Sequence, residues 1–182
     1  MKYILGNWKA NKNFTEMKQW IYTFQREYRA NETVTLGVFP PLLFISYVQG
    51  KLKDCKNVFV GSQTISSFEK GSYTGDVTAT TLEGVAYYSI IGHSERRKIF
   101  GETDEQLAEK VKQALAHGEP PEQTVAMKKK MNLPKDVVFI YGGSVNEKNA
   151  SDYFATGEID GFLIGKACLD PVQFIAIAKA AQ

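Results

Sequence analysis

Several polar residues that could do chemistry stand directly after short apolar runs in this chain. Asn7 and Lys9 follow YIL, Gln63 follows VFVG, and His93 and Glu95 follow YYSIIG. Gly142-Gly143-Ser144 follows VVFIY, and Gly165-Lys166 follows GFLI. A lysine ammonium stabilises negative charge as it develops on a substrate. A histidine near neutral pKa shuttles protons. Glycine-containing turns at helix N-termini expose backbone N–H groups suited to a phosphate. Taken singly each signal is weak, since a lone Lys is usually solvated, a Gly-Gly is usually only a turn and a lone His is more often structural. Their shared position after strand ends gives the set its weight.

The elements that must carry these residues follow from pattern. Tyr3 to Leu5, Thr33 to Phe39, Val58 to Gly61, Tyr87 to Ile91, Val137 to Tyr141 and Gly161 to Ile164 read as strands. Most are continuous apolar runs, as expected where both faces are buried. Helices are expected from Thr15 to about Tyr28, over LLFISYVQGKL, briefly over Thr80 to Gly84, after the stretch around 118–123 to about Met131, from about Glu147, and from Pro171. The strongest is Thr103 to His117, with Thr103 and Gln106 at capping-box spacing and Leu107, Val111 and Leu115 four apart. Strand and helix alternate six times, which predicts a parallel sheet covered by helices, with the strand carboxyl ends forming one rim. Pattern alone leaves a doubly wound sheet and a closed barrel both open.

Composition sets limits. The 182 residues suit one domain; 43% are hydrophobic and 23% charged, as in a folded globular chain. A net charge of +2 without basic clusters gives no case for nucleic acid, and MKKKM at 127–131 reads as a solvated helix face. No run of about 18 apolar residues argues for a membrane span, and Met1-Lys2 leads into a strand without a signal pattern. Cys55 and Cys168 lack metal-ligand spacing and read as free thiols, so a cytoplasmic protein without a metal is expected.

GNWKANK at 6–12, GSYTGD at 71–76, IIGHSERR at 90–97, IYGGSV at 140–145 and GFLIGKACL at 161–169 together resemble the triosephosphate isomerase family. The resemblance implies a (β/α) TIM-type barrel, a cofactor-free homodimer, and the glycolytic and gluconeogenic interconversion of dihydroxyacetone phosphate and glyceraldehyde 3-phosphate. It implies Lys9 as the cation that draws in substrate and stabilises its enediolate, with Asn7 beside it. His93 would be the neutral electrophile on the carbonyl, the role for which this family is the standard example. Glu95 would share that polar network, and Gly142, Gly143, Ser144, Gly165 and Lys166 would hold the phosphate. Lys166 stands where a second Gly is common, a mild departure. Thr74 would lie in the loop that crosses to a partner subunit; Glu95 and Thr74 also have a purely loop-fixing reading.

The resemblance has a hole. A barrel of this type takes about 250 residues and eight strand–helix units, and here there are six. Residues 1–117 match units one to four, 118–123 form the junction, and 124–182 supply a helix and units seven and eight of one shortened domain. The absent units should carry the Glu-Pro general base and the glycine-hinged lid. Glu119-Pro120 matches that dipeptide, but crossing a barrel takes about five strand residues at roughly 3.3 Å each. HGEPP is too short, and Pro-Pro donates no ladder hydrogen bonds. Glu119 is therefore not expected to reach the site. Strained closure, filling by a partner chain, or an open or locally rearranged barrel would each answer the gap, and the last is favoured. Open edges recruit other chains, so self-association as a dimer or beyond is expected. The activity expected is severely impaired or nil; a non-catalytic phosphate-binding or interaction homologue is the alternative.

Overall fold

A computed structural model describes residues 1–86, 88–117, 138, 140–157 and 159–181. The junction at 118–123, with Glu119, and the helix expected up to Met131 lie outside the described residues. Six strands form one parallel sheet: β1 (Lys2–Asn7), β2 (Val34–Phe39), β3 (Val58–Ser62), β4 (Tyr88–Ser89), β5 (Ile140–Tyr141) and β6 (Gly161–Ile164). Their order is β4-β3-β2-β1-β6-β5. The sheet thus ends at β4 on one side and β5 on the other among the described residues, an open half-barrel rather than a closed cylinder. These two strands flank the junction in sequence, so the opening falls where the strand count predicts it.

Burial explains both faces of the strands. In β1 Ile4 packs outward into the main core while Leu5 packs inward. The inner cluster joins Leu5, Phe39, Ile90, Ile140 and Leu163, so the segments at both ends of the sheet share one interior. Phe59 and Phe39 occupy the space over Gly37 and Gly61, where a Cβ would come within 2.5 and 2.4 Å of their rings. Gly161 is tighter still: a Cβ there would sit 2.1 Å from the Tyr3 carbonyl oxygen, across the β1–β6 ladder. Gly161→Ala should therefore cost about 3 kcal/mol, the upper end of overpacking. In a domain of this size that is a fall in Tm of roughly 6 to 12 °C in a thermal melt.

The outer layer is α1 (Phe14–Glu27), α2 (Ile45–Leu52, after a short turn of 3-10 helix at Leu42–Phe44), α3 (Ala79–Leu82), α4 (Ser94–Ile99), α5 (Asp104–His117), α6 (Ala150–Ala155) and α7 (Pro171–Ala180). α1 starts one residue before the expected Thr15, because Asn13 completes a capping box with Glu16. Trp20 on α1 stacks on Phe24, meets Trp8 edge-on, and donates to the Cys168 carbonyl at 3.0 Å, tying the turn after β6 to this helix. Both cysteines are free; burial pushes the Cys168 thiol up to about 12, which leaves it unreactive. Among the described residues no helix is long and apolar enough to cross a membrane.

Three expectations need correction. The strand over Tyr87 to Ile91 is only Tyr88–Ser89, as suits a strand with β3 as its one neighbour in the sheet order; Tyr87 lies outside the described residues. The helix from Glu147 begins at Ala150, after a turn at 147–149. The stripe on α5 is the third. The Thr103–Gln106 capping box forms and Leu107 is buried, but Val111 and Leu115 are 41% and 50% exposed. Such a stripe needs a sheet beneath it, and no described strand continues the sheet beyond β4. In its place Lys110 is buried.

Candidate active site

The rim where strands end gathers the polar groups. β1 stops at Asn7, whose Oδ1 accepts the Lys9 N–H at 2.9 Å. The Trp8 N–H donates to the Phe39 carbonyl at 3.0 Å. Gln63, just beyond β3, donates to the carbonyls of both Lys9 and Phe39, each at 2.9 Å. Held this way, Lys9 adopts φ 53°, a left-handed conformation costing of order 1–3 kcal/mol in a non-glycine residue. Its surroundings offset that cost and aim the ammonium at the Glu95 Oε1, 2.5 Å away.

Glu95 and His93 come from the turn that opens α4, a helix the sequence pattern did not reveal because none of its residues is buried. The His93 ring caps it: Nδ1 accepts the Glu95 N–H at 3.2 Å. A neutral imidazole with an accepting Nδ1 carries its proton on Nε2, so the ring presents a donor. Burial lowers the His93 pKa below its ordinary 6.5; the Glu95 carboxylate works against that and the Lys9 ammonium adds to it. The Lys9 hydrogen bond lowers the Glu95 pKa below the ordinary 4.5, burial opposes it, and the charges of Lys9 and His93 assist. His93 is therefore neutral, and Glu95 ionised, near neutral pH.

These directions fix a sign. Both folded-state values lie below the unfolded ones, so both contributions to stability are present above the unfolded pKa and fade on acidification. An NMR titration of the His93 ring should show a midpoint below 6.5. Stability should fall first as pH drops beneath that value, then again below 4.5 as Glu95 takes up a proton.

The other half of the rim is backbone. Gly142, Gly143 and Ser144 follow β5, and a Cβ on Gly143 would lie 2.4 Å from the Tyr141 hydroxyl, so any larger residue there must displace that ring. Their amides belong to a loop and not to a helix N-terminus, since α6 starts later. Gly165 and Lys166 enter a 3-10 turn at Lys166–Leu169. All nine residues read from the sequence as catalytic or phosphate-binding line one cavity of about 490 Å³ at the carboxyl ends of the strands. Thr74 is not among them; it is exposed on the loop between β3 and α3.

Ser94, Val145, Asn146, Leu163, Ile164, Ala167 and Gln173 complete the lining. Ser94 and Asn146 adjoin motif residues and adjacency would have found them. Gln173 arrives from the first turn of α7, capped by Asp170, and no sequence signal marks it. Among the described residues Glu95 is the only carboxylate in this lining, and it is engaged by Lys9. Among the described residues no cluster of three or more metal-ligating side chains occurs. The arrangement can hold an anion beside a cation and a neutral imidazole donor, and among the described residues the lining has no unengaged carboxylate to remove a proton.

A family model described as triosephosphate isomerase matches residues 2–121 and 122–181, in two segments that meet at the junction. Similar proteins carry the same description. One from Mesomycoplasma hyopneumoniae (strain 7448) is 29% identical over an alignment of 235 positions, spanning 95% of this chain and 96% of that protein. One from Aquifex aeolicus is 28% identical over 242 positions, spanning 97% and 98%. One from Coxiella burnetii (strain Dugway 5J108-111) is 29% identical over 244, spanning 97% and 95%. Each alignment exceeds the 182 residues of this chain by more than fifty positions, which are gaps opposite it.

Proposed function

Because the chain belongs to the triosephosphate isomerase family, we propose that it binds triose phosphate in the rim cavity while catalysing isomerisation poorly or not at all. The observation that carries this reading is the cavity itself, where Lys9, His93 and Glu95 face the two glycine turns around one space. In the bound state the amides at 142–144 and 165–166 hold the phosphate. Lys9 balances charge at the carbonyl and enediolate oxygens, and the Nε2–H of His93 donates to the same region. Asn7 keeps Lys9 in place through its backbone. Glu95 partners the ammonium and, by that contact, is a poor base.

The two matched segments meet between Pro121 and Glu122, which supports the reading that the fifth and sixth strand–helix units of a complete barrel are missing there. With them go the proton-abstracting carboxylate and the lid, so binding outlives turnover. Calorimetric titration with a phosphorylated carboxylate that mimics the enediolate tests this; saturable binding supports the reading, and no binding overturns it.

Self-association is part of the proposal. Leu43 in the 3-10 turn after β2, Ile99 at the end of α4 and Phe100 just beyond it are 84%, 72% and 66% exposed, and Thr74 stands on an exposed loop beside Tyr73. Where such side chains join into one patch they form a contact surface. Light scattering across a dilution series should give a homodimer mass at high concentration, and a Leu43→Asp, Phe100→Asp variant should remain monomeric.

A further inference from the structure

We propose that Lys110 and Glu102 are positioning residues that hold Lys9, His93 and Glu95 in register on the open side of the sheet; this rests on the functional reading of those three residues given above. A closed ring of contacts carries the inference. The Lys9 Nζ meets Glu95 at 2.5 Å. Next to Glu95 on α4, the Arg96 Nε donates to the Glu102 Oε1. The Lys110 Nζ, from α5, donates to the same oxygen at 2.5 Å and to the Thr64 Oγ1 at 3.0 Å. Thr64 follows Gln63, which holds the Lys9 carbonyl at 2.9 Å. The ring therefore returns to Lys9 after passing through both loops that deliver the site.

Of the ring's charged side chains, the two on Lys110 and Glu102 are the most enclosed. The side chains of Lys110 and Glu102 are 8% and 6% exposed. Burial pushes the Glu102 carboxyl up, but hydrogen bonds from Lys110 and Arg96 outweigh it and keep the group ionised. A buried ion pair gives little net stability over an apolar pair of the same volume, so its value is geometric. The need for such a brace is local. β4 is only Tyr88–Ser89 and ends the sheet order, so no described strand beyond it fixes the turn that opens α4. Of the apolar stripe on α5 only Leu107 is buried, which leaves Lys110 to anchor the helix.

The test separates positioning from bulk stability. Lys110→Met alone leaves the buried Glu102 carboxylate with only the part-exposed Arg96 as partner and is expected to lower the Tm. The double variant Glu102→Leu, Lys110→Met removes both charges, and Arg96, whose side chain is 32% exposed, turns to solvent. This variant should melt near the parent Tm. Its His93 ring should titrate closer to 6.5 than in the parent, and it should bind the enediolate mimic roughly 10-fold more weakly, as a misplaced charge does. Lys112→Met with Glu109→Gln, removing an exposed pair on the same helix, is the control and should change neither. A folded double variant with an unchanged His93 midpoint overturns the brace. If the parent chain itself binds no mimic, the functional reading falls, and the His93 midpoint alone still decides the brace.

Discussion

Assayed for triose phosphate interconversion, the purified chain should turn over at least about 10²-fold more slowly than a complete member of its family, and a deficit of 10⁴ or more would be in keeping. A positioned general base contributes about 10² to 10⁴ in rate. Among the described residues that line the cavity the only carboxylate is Glu95. The Lys9 hydrogen bond lowers its pKa below 4.5, far from the operating pH at which a base works best. His93 does not replace it, because its Nδ1 is occupied by the Glu95 N–H and its Nε2 carries a proton. Loss of a lid also admits water to any enediolate that forms. Turnover within a factor of ten of a complete relative would mean that a base reaches the site by a path the described residues do not contain.

Removing the ammonium should be felt in binding, not in folding. Lys9→Met should weaken the enediolate mimic by roughly 10- to 10²-fold in a calorimetric titration, the value of a charge-assisted hydrogen bond of about 1.5–3 kcal/mol. Glu95 loses its partner, but its side chain is 43% exposed and water solvates it, so the melting curve should move little. Lys12→Met is the control. Lys12 also has a positive φ, but its Nζ donates to the Leu169 carbonyl at 2.8 Å and it lines a different groove with Glu16 and Asp170. That variant should bind the mimic as the parent does. Equal losses from both substitutions would show that general positive charge, and not the placement of Lys9, draws the ligand.

Much of this was legible from residues alone, for identifiable reasons. Continuous apolar runs gave the strands because both sheet faces are buried, and the parallel order follows from the intervening helices. The nine cavity residues were legible because each lies at or shortly after the carboxyl end of an apolar run, and parallel strands deliver those ends to one rim. α4 was invisible because SERRKI buries none of its side chains, so it has no hydrophobic period to read. Val111 and Leu115 misled for the opposite reason, since their period is sound but no described strand continues the sheet beyond β4 to cover them. Lys110 was read past because a lysine in a helical pattern is assigned to solvent, and only the Glu102 carboxylate beneath it explains its burial. The open sheet itself was predictable by counting backbone: no short junction replaces two strands.

Solvent deuterium incorporation into dihydroxyacetone phosphate, followed by NMR for the parent chain and for Glu119→Gln, tests the central claim most directly, because it reports proton removal whether or not product is released. The account predicts that neither protein raises exchange above buffer while the parent still binds the enediolate mimic. Exchange that the parent accelerates and Glu119→Gln abolishes would place a working base on the junction and contradict it.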